Sequence, residues 1–107
     1  MMMMVIGLDE KRISEDGYVV QPFWDWIDTV FNHVKWTKEP QPDGTVLYSS
    51  EIDSDNSFVD GYYVFQSLAQ EKSFIEYCSK WIGFDNEDDE TLPLIEDDYL
   101  AAVKNAL

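Results

Sequence analysis

The stretch "GFDNEDDETLPLIEDDYL", residues 83–100, carries eight carboxylates, Asp85, Glu87, Asp88, Asp89, Glu90, Glu96, Asp97 and Asp98, and no lysine, arginine or histidine. Carboxylates at this density can exchange protons in acid–base catalysis, ligate a hard cation, or hold a field that attracts a cationic partner. Acid–base work needs a pair held in a cleft with separated proton affinities. With 22 acids in the chain some pair is inevitable, and the sequence marks no cleft. Calcium is the sharper rival. If Asp85 opened an EF-hand loop, Glu87, Asp89 and Glu96 would fall at its third, fifth and twelfth positions, with Leu92 at the apolar eighth. The sixth position is Glu90, where the sharp turn requires glycine, and the ninth is Pro93. "DSDNS", 53–57, fails in the same way, with Val64 where the last acid should stand. No metal site follows from either frame.

The other reactive groups are isolated. His33 is the single histidine, and it falls at the edge of an apolar helical arc, where a boundary role is the ordinary one. Cys78 is the single cysteine, so neither an internal disulfide nor a cysteine zinc site can form, and a reducing cytoplasm is the expected setting. Its place within an apolar pattern makes it a packed small residue rather than a nucleophile. No nucleophile–base pair and no cofactor motif is present, and the expectation is a protein that is not an enzyme and carries no cofactor.

The charge balance points outward. A net charge of −15 disfavours direct contact with nucleic acid or an anionic membrane, and favours a basic protein as partner. The acidity is also uneven: residues 1–50 hold eight acids and four bases, residues 51–107 fourteen acids and three bases. The start "MMMMVIGLDEKR" lacks the basic flank and long apolar core of a signal peptide, and its apolar run is too short to span a membrane. At 45% apolar and 15% aromatic residues, the chain is expected to fold as one globular domain over 1–107, burying about two-thirds of its unfolded surface.

Several elements must position these groups. In "PFWDWIDTVFNHV", 22–34, Phe23, Trp24, Trp26, Ile27, Val30, Phe31 and Val34 share one arc of a helix that Pro22 suits as a first-turn residue. "VKWTK" and "TVLYSSEI" read as a hairpin around "EPQPDG", 39–44. "SEDGYVV" turns at Asp16-Gly17 into a strand at 18–20, and "YYVFQ", 62–66, reads as another strand. Ser67 and Gln70 have capping-box spacing ahead of a helix whose face holds Leu68, Phe74, Ile75, Cys78, Trp81 and Ile82, ended by Gly83. "IEDDYLAAVKNAL" reads as a C-terminal helix. The expected fold class is α+β, a small antiparallel sheet of three to four strands packed by about three helices.

Glu96, Asp97 and Asp98 then have an ordinary use at the start of the last helix. Asp85, Glu87, Asp88, Asp89 and Glu90 have none, since their mutual repulsion serves no local fold; a solvated, solubilising loop is the bland account of them. Phe84 and Tyr99 flank the run, so carboxylates could surround ring anchors, as at the centre of many protein interfaces. The expected partner-binding set is therefore Asp85, Glu87, Asp88, Asp89, Glu90, Asp97 and Asp98 with Phe84 and Tyr99. In size, acidity and aromatic content the chain resembles bacterial immunity proteins, without a diagnostic motif. The resemblance implies a toxin inhibitor that covers the basic active site of a nuclease. The alternatives are a phage or plasmid DNA mimic that blocks a DNA-binding defence protein, and an acidic adaptor or regulatory subunit.

Overall fold

The computed structural model describes residues 1–50, 57–86 and 91–106. Its strands are β1 (Met2–Leu8), β2 (Thr37–Pro40), β3 (Val46–Ser49), β4 (Cys78–Asp85) and β5 (Ile95–Asp98). They form one antiparallel sheet in the order β2-β3-β1-β4-β5. The helices are α1 (Glu10–Glu15), α2 (Gln21–His33), α3 (Ser57–Ala69), α4 (Lys72–Tyr77) and α5 (Tyr99–Ala106). The α+β class stands, but the expected three to four strands and about three helices become five of each among the described residues.

The methionine-rich start forms the central strand. Met2, Met4, Ile6 and Leu8 are all buried, a period of two that aims one face of β1 into the core. Val46 and Tyr48 of β3 and Trp81 of β4 extend that face on either side, in register with Ile6, Met4 and Ile6 respectively. Onto it pack Ile27, Val30 and Phe31 of α2, Val64 and Leu68 of α3, and Phe74 and Ile75 of α4. Phe31 lies flat on Tyr48, ring centres 3.8 Å apart, and Phe74 meets Trp81 edge-on. The opposite face carries Met3, Val5, Leu47, Ile82 and Phe84, each only half-buried.

Helix α2 lies where the sequence pattern puts it, and the β2–β3 hairpin forms as expected except that its first strand is Thr37–Pro40 rather than 34–38, so Glu39 and Pro40 pair in the sheet instead of opening the loop. Gly44 takes φ +88°, the left-handed turn that Asp-Gly announces, and Gly17 does the same after α1. Four readings need correction. Residues 18–20 are not a strand; they link α1 to α2, with Tyr18 and Val19 exposed. The run 62–66 lies inside α3, because Ser57, Gly61, Val64 and Leu68 are buried at helical spacing and that tertiary fit outweighs the β preference of Tyr, Val and Phe. Ser67 accordingly caps nothing; its hydroxyl donates to the Tyr63 carbonyl within α3.

The helix expected through Ile82 ends at Tyr77, and Cys78–Asp85 is strand. A bulge explains the misleading pattern: Gly7 pairs with Lys80 and Leu8 with Cys78, so Ser79 is the extra residue and the buried Cys78 and Trp81 stand three apart, as on a helix. Gly83 lies within β4 rather than stopping a helix. Finally, the C-terminal helix begins only at Tyr99, after the four residues of β5. The "DSDNS" loop lies outside the described residues, apart from Ser57, which opens α3.

Candidate functional site: a ring-lined cavity at the acidic sheet edge

The alternation of β4 decides which acids can act together. Trp81 is fully buried on the helix side, so Gly83 and Asp85 follow it on that side while Ile82 and Phe84 face the other way. The β4–β5 register pairs Gly83 with Asp97 and Asp85 with Ile95, and it pairs Phe84 with Glu96 and Ile82 with Asp98. Asp85 and Asp97 therefore share the helix side at the sheet's edge, and Glu96 and Asp98 lie across the open face.

Tyr99 follows β5 directly and folds back over the sheet as α5 begins. Its ring rests on Gly83, where a Cβ would run into the ring, so a glycine is required there for close approach rather than for backbone freedom. Tyr99 meets Phe65 edge-on at 5.1 Å and Trp81 at 5.6 Å, while Phe65 stacks on Trp81 at 5.2 Å. On α3, Gly61 makes room for the Met2 side chain, and Phe58 and Tyr62, one turn apart, stand exposed beside it. These groups line an open cavity of about 330 Å³, walled by the rings of Phe58, Tyr62, Phe65 and Tyr99 and edged by Asp85 and Asp97. That volume sits at the lower end of small-ligand sites, about 300–1,000 Å³.

The field in the cavity is negative. The Tyr99 phenol is raised above its ordinary value, first by burial and then by the charges of Asp97 and Asp85. Among the described residues no lysine or arginine forms an ion pair with Asp97. Three bases are paired with other acids: Lys38 with Asp28 at 2.8 Å, Arg12 with Glu76, and Lys11 loosely with Glu15. Arg12, Lys72 and Lys104 line a separate cavity of about 400 Å³ floored by Ala69, Ile75 and Val103.

Of the residues singled out in the sequence, Asp85, Asp97 and Tyr99 converge on the ring-lined cavity. Phe84 and Asp98 lie toward the other face, and the Asp98 carboxylate accepts a hydrogen bond from the Ala101 backbone N–H at 3.0 Å, capping α5. Glu87, Asp88, Asp89 and Glu90 fall between β4 and β5 in sequence and lie outside the described residues, and with them the third, fifth and sixth positions of the EF-hand frame drawn from Asp85. Phe58, Tyr62 and Phe65 were not singled out, because Tyr62 and Phe65 fall in the run that reads as a strand and Phe58 lies before it; the helical spacing of Gly61, Val64 and Leu68 was the available signal.

The isolated reactive groups lie apart from the cavity lining. Burial pushes the Cys78 thiol up to about 12, and its Sγ–H donates to the Lys80 carbonyl at 3.3 Å. His33 is exposed, its ring stacked on that of Tyr63 at 4.6 Å. Among the described residues no group of three or more His, Cys, Asp or Glu side chains could hold a metal ion. Nor, among them, is any helix long and apolar enough to cross a membrane. No protein-family model, curated protein or solved structure matches the chain.

Proposed function

We propose that this protein is a non-enzymatic binding protein that docks on a cationic protein through its β4–β5 edge. The partner that fits best is a nuclease-type toxin, which the protein would neutralise as a bacterial immunity protein does, in the cytoplasm. The observation that carries the reading is the convergence of Asp85 and Asp97 on an aromatic cavity at the most acidic part of the chain. A nuclease assembles lysine and arginine to hold phosphates, so a carboxylate surface can occupy the same groups. Its field would speed encounter and fix orientation, and the rings would supply apolar anchors. The exposed rings support a protein-docking site over a DNA mimic, for which a long stripe of carboxylates without aromatic company would be expected.

The test is titration calorimetry against purified cationic bacterial nucleases over a range of salt, with nuclease activity read in parallel. Complex formation should suppress activity and weaken steeply as salt rises. The variant with Asp85, Glu87, Asp88, Asp89 and Glu90 changed to Asn or Gln is first checked for an unchanged fold by circular dichroism. It should bind more weakly, with a flatter salt response. A variant that binds as tightly, with the same salt dependence, would defeat the reading.

A further inference from the structure

We propose that the cavity between α3 and the β4–β5 edge is a receptor for one alkyl-cation side chain, an arginine or lysine of the partner protein. This rests on the docking role just described and adds the chemistry of its central contact.

Three observations support it. First, the walls are rings on two sides. Phe58 and Tyr62 rise from α3, and Tyr99 stands on Gly83 in T-shaped contact with Phe65 and Trp81, which fixes its orientation. A cation over an aromatic face within about 6 Å is attracted by the ring quadrupole, and apolar ring surface suits the methylene stem that precedes the charge. Second, the rim is anionic, since Asp85 and Asp97 border the opening and both charges are felt at the Tyr99 phenol. A neutral apolar side chain would gain nothing from the charge of that rim, whereas a guanidinium or ammonium is attracted to it. Third, Phe58 and Tyr62 are each 61% exposed, which costs solvation for large rings unless something covers them. An anion is excluded by the same rim.

The experiment uses the full chain and three small probes at constant ionic strength: N-acetyl-arginine methylamide, N-acetyl-lysine methylamide, and the neutral isostere N-acetyl-citrulline methylamide. Two-dimensional NMR follows the ring resonances of Tyr62 and Tyr99. Saturable shifts with arginine, lysine or both are expected, and which amide binds identifies the cation; citrulline should bind at least about tenfold more weakly. Asp97→Asn and Tyr62→Ala, both at exposed positions and checked for an unchanged fold by near-ultraviolet circular dichroism, should each weaken the cationic probe several-fold. Absence of saturation with either cation, or equal binding of citrulline, overturns the proposal. The two levels separate cleanly. If nuclease binding keeps its salt dependence while the probes find no site, the cavity assignment falls and the docking surface stands.

Discussion

Gly83→Ala tests the arrangement that builds the cavity wall, and its cost can be worked from the structure. A methyl group on Gly83 would occupy space now held by the Tyr99 ring. β4 is held by β1 on one side and β5 on the other, so the ring must move rather than the strand. Overpacking of this kind costs about 1–3 kcal/mol. Displacing Tyr99 also weakens its two edge-on contacts, with Phe65 and Trp81, each worth about 0.5–1.5 kcal/mol. Alanine returns about 0.5–1 kcal/mol relative to glycine in a strand interior. The net expectation is a loss of about 2–4 kcal/mol. With Tyr99→Ala as background the obstruction is gone, so the same Gly83→Ala change should be neutral or slightly stabilising. Urea unfolding of the four proteins in this double-mutant cycle gives a coupling of about 2 kcal/mol or more if the reasoning holds. Additive losses, with Gly83→Ala equally harmful in both backgrounds, would refute the claim that glycine is there to seat the ring.

Other parts of the fold give expectations of their own. Phe31→Ala should cost about 3–5 kcal/mol in urea unfolding, because its ring is buried and lies flat on Tyr48. Trp24→Ala, at a half-buried position on the same helix, should cost distinctly less, and equal losses would contradict the assigned face of α2. Alkaline pH should destabilise the protein. The Cys78 thiol is held at about 12 against an ordinary value of about 9, so between those values the unfolded chain releases a proton that the native chain keeps. Stability is therefore unaffected by this group below about pH 9. It falls as pH rises beyond, by about 1.4 kcal/mol per pH unit for that one proton. The phenols of Tyr48 and Tyr99, also raised, act in the same direction. Urea midpoints that stay level from about pH 8 to about pH 11 would argue against a buried thiol.

How much of this could be read from the chain depends on whether a residue's neighbours are local. Helix α2 and the β2–β3 hairpin are legible because an apolar arc and an Asp-Gly turn are local features. The central strand is not, because four methionines followed by valine and isoleucine show no alternation until β3 and β4 bury one face of them. Bulged pairing at Ser79 hides the β4 strand by giving Cys78 and Trp81 the spacing of a helix. The candidate site was legible only in part: Asp85, Asp97 and Tyr99 could be singled out by charge and company. That Tyr99 would meet Phe65, which sits on another element, follows only from where α3 packs. Phe84 and Tyr99 flank the same acidic run, yet strand alternation sends Phe84 to the open face and the turn into α5 returns Tyr99 to the helix side.

The acids of β5 also meet a need common to open sheets, and separating that need from binding yields the sharpest contrast. β5 is an edge strand, and charge on an edge discourages pairing with another chain. Glu96 and Asp98 supply that charge toward the open face, and Asp98 in addition caps α5. Neither task requires a carboxylate at 97. Asp97 stands opposite Gly83 and two residues before a half-buried phenol, Tyr99, which its charge drives further from ionisation. For the free protein a neutral residue of the same shape would serve as well. Asp98→Ala should therefore lower stability by about 0.5–2 kcal/mol through loss of the cap, with little change in binding of a cationic probe. Asp97→Asn should leave stability within about 0.5 kcal/mol of the parent, or slightly above it, and weaken the same probe. Two adjacent carboxylates would then answer to different demands. If both substitutions affected stability alone, and to a similar extent, the acids of β5 would be edge protection and nothing more.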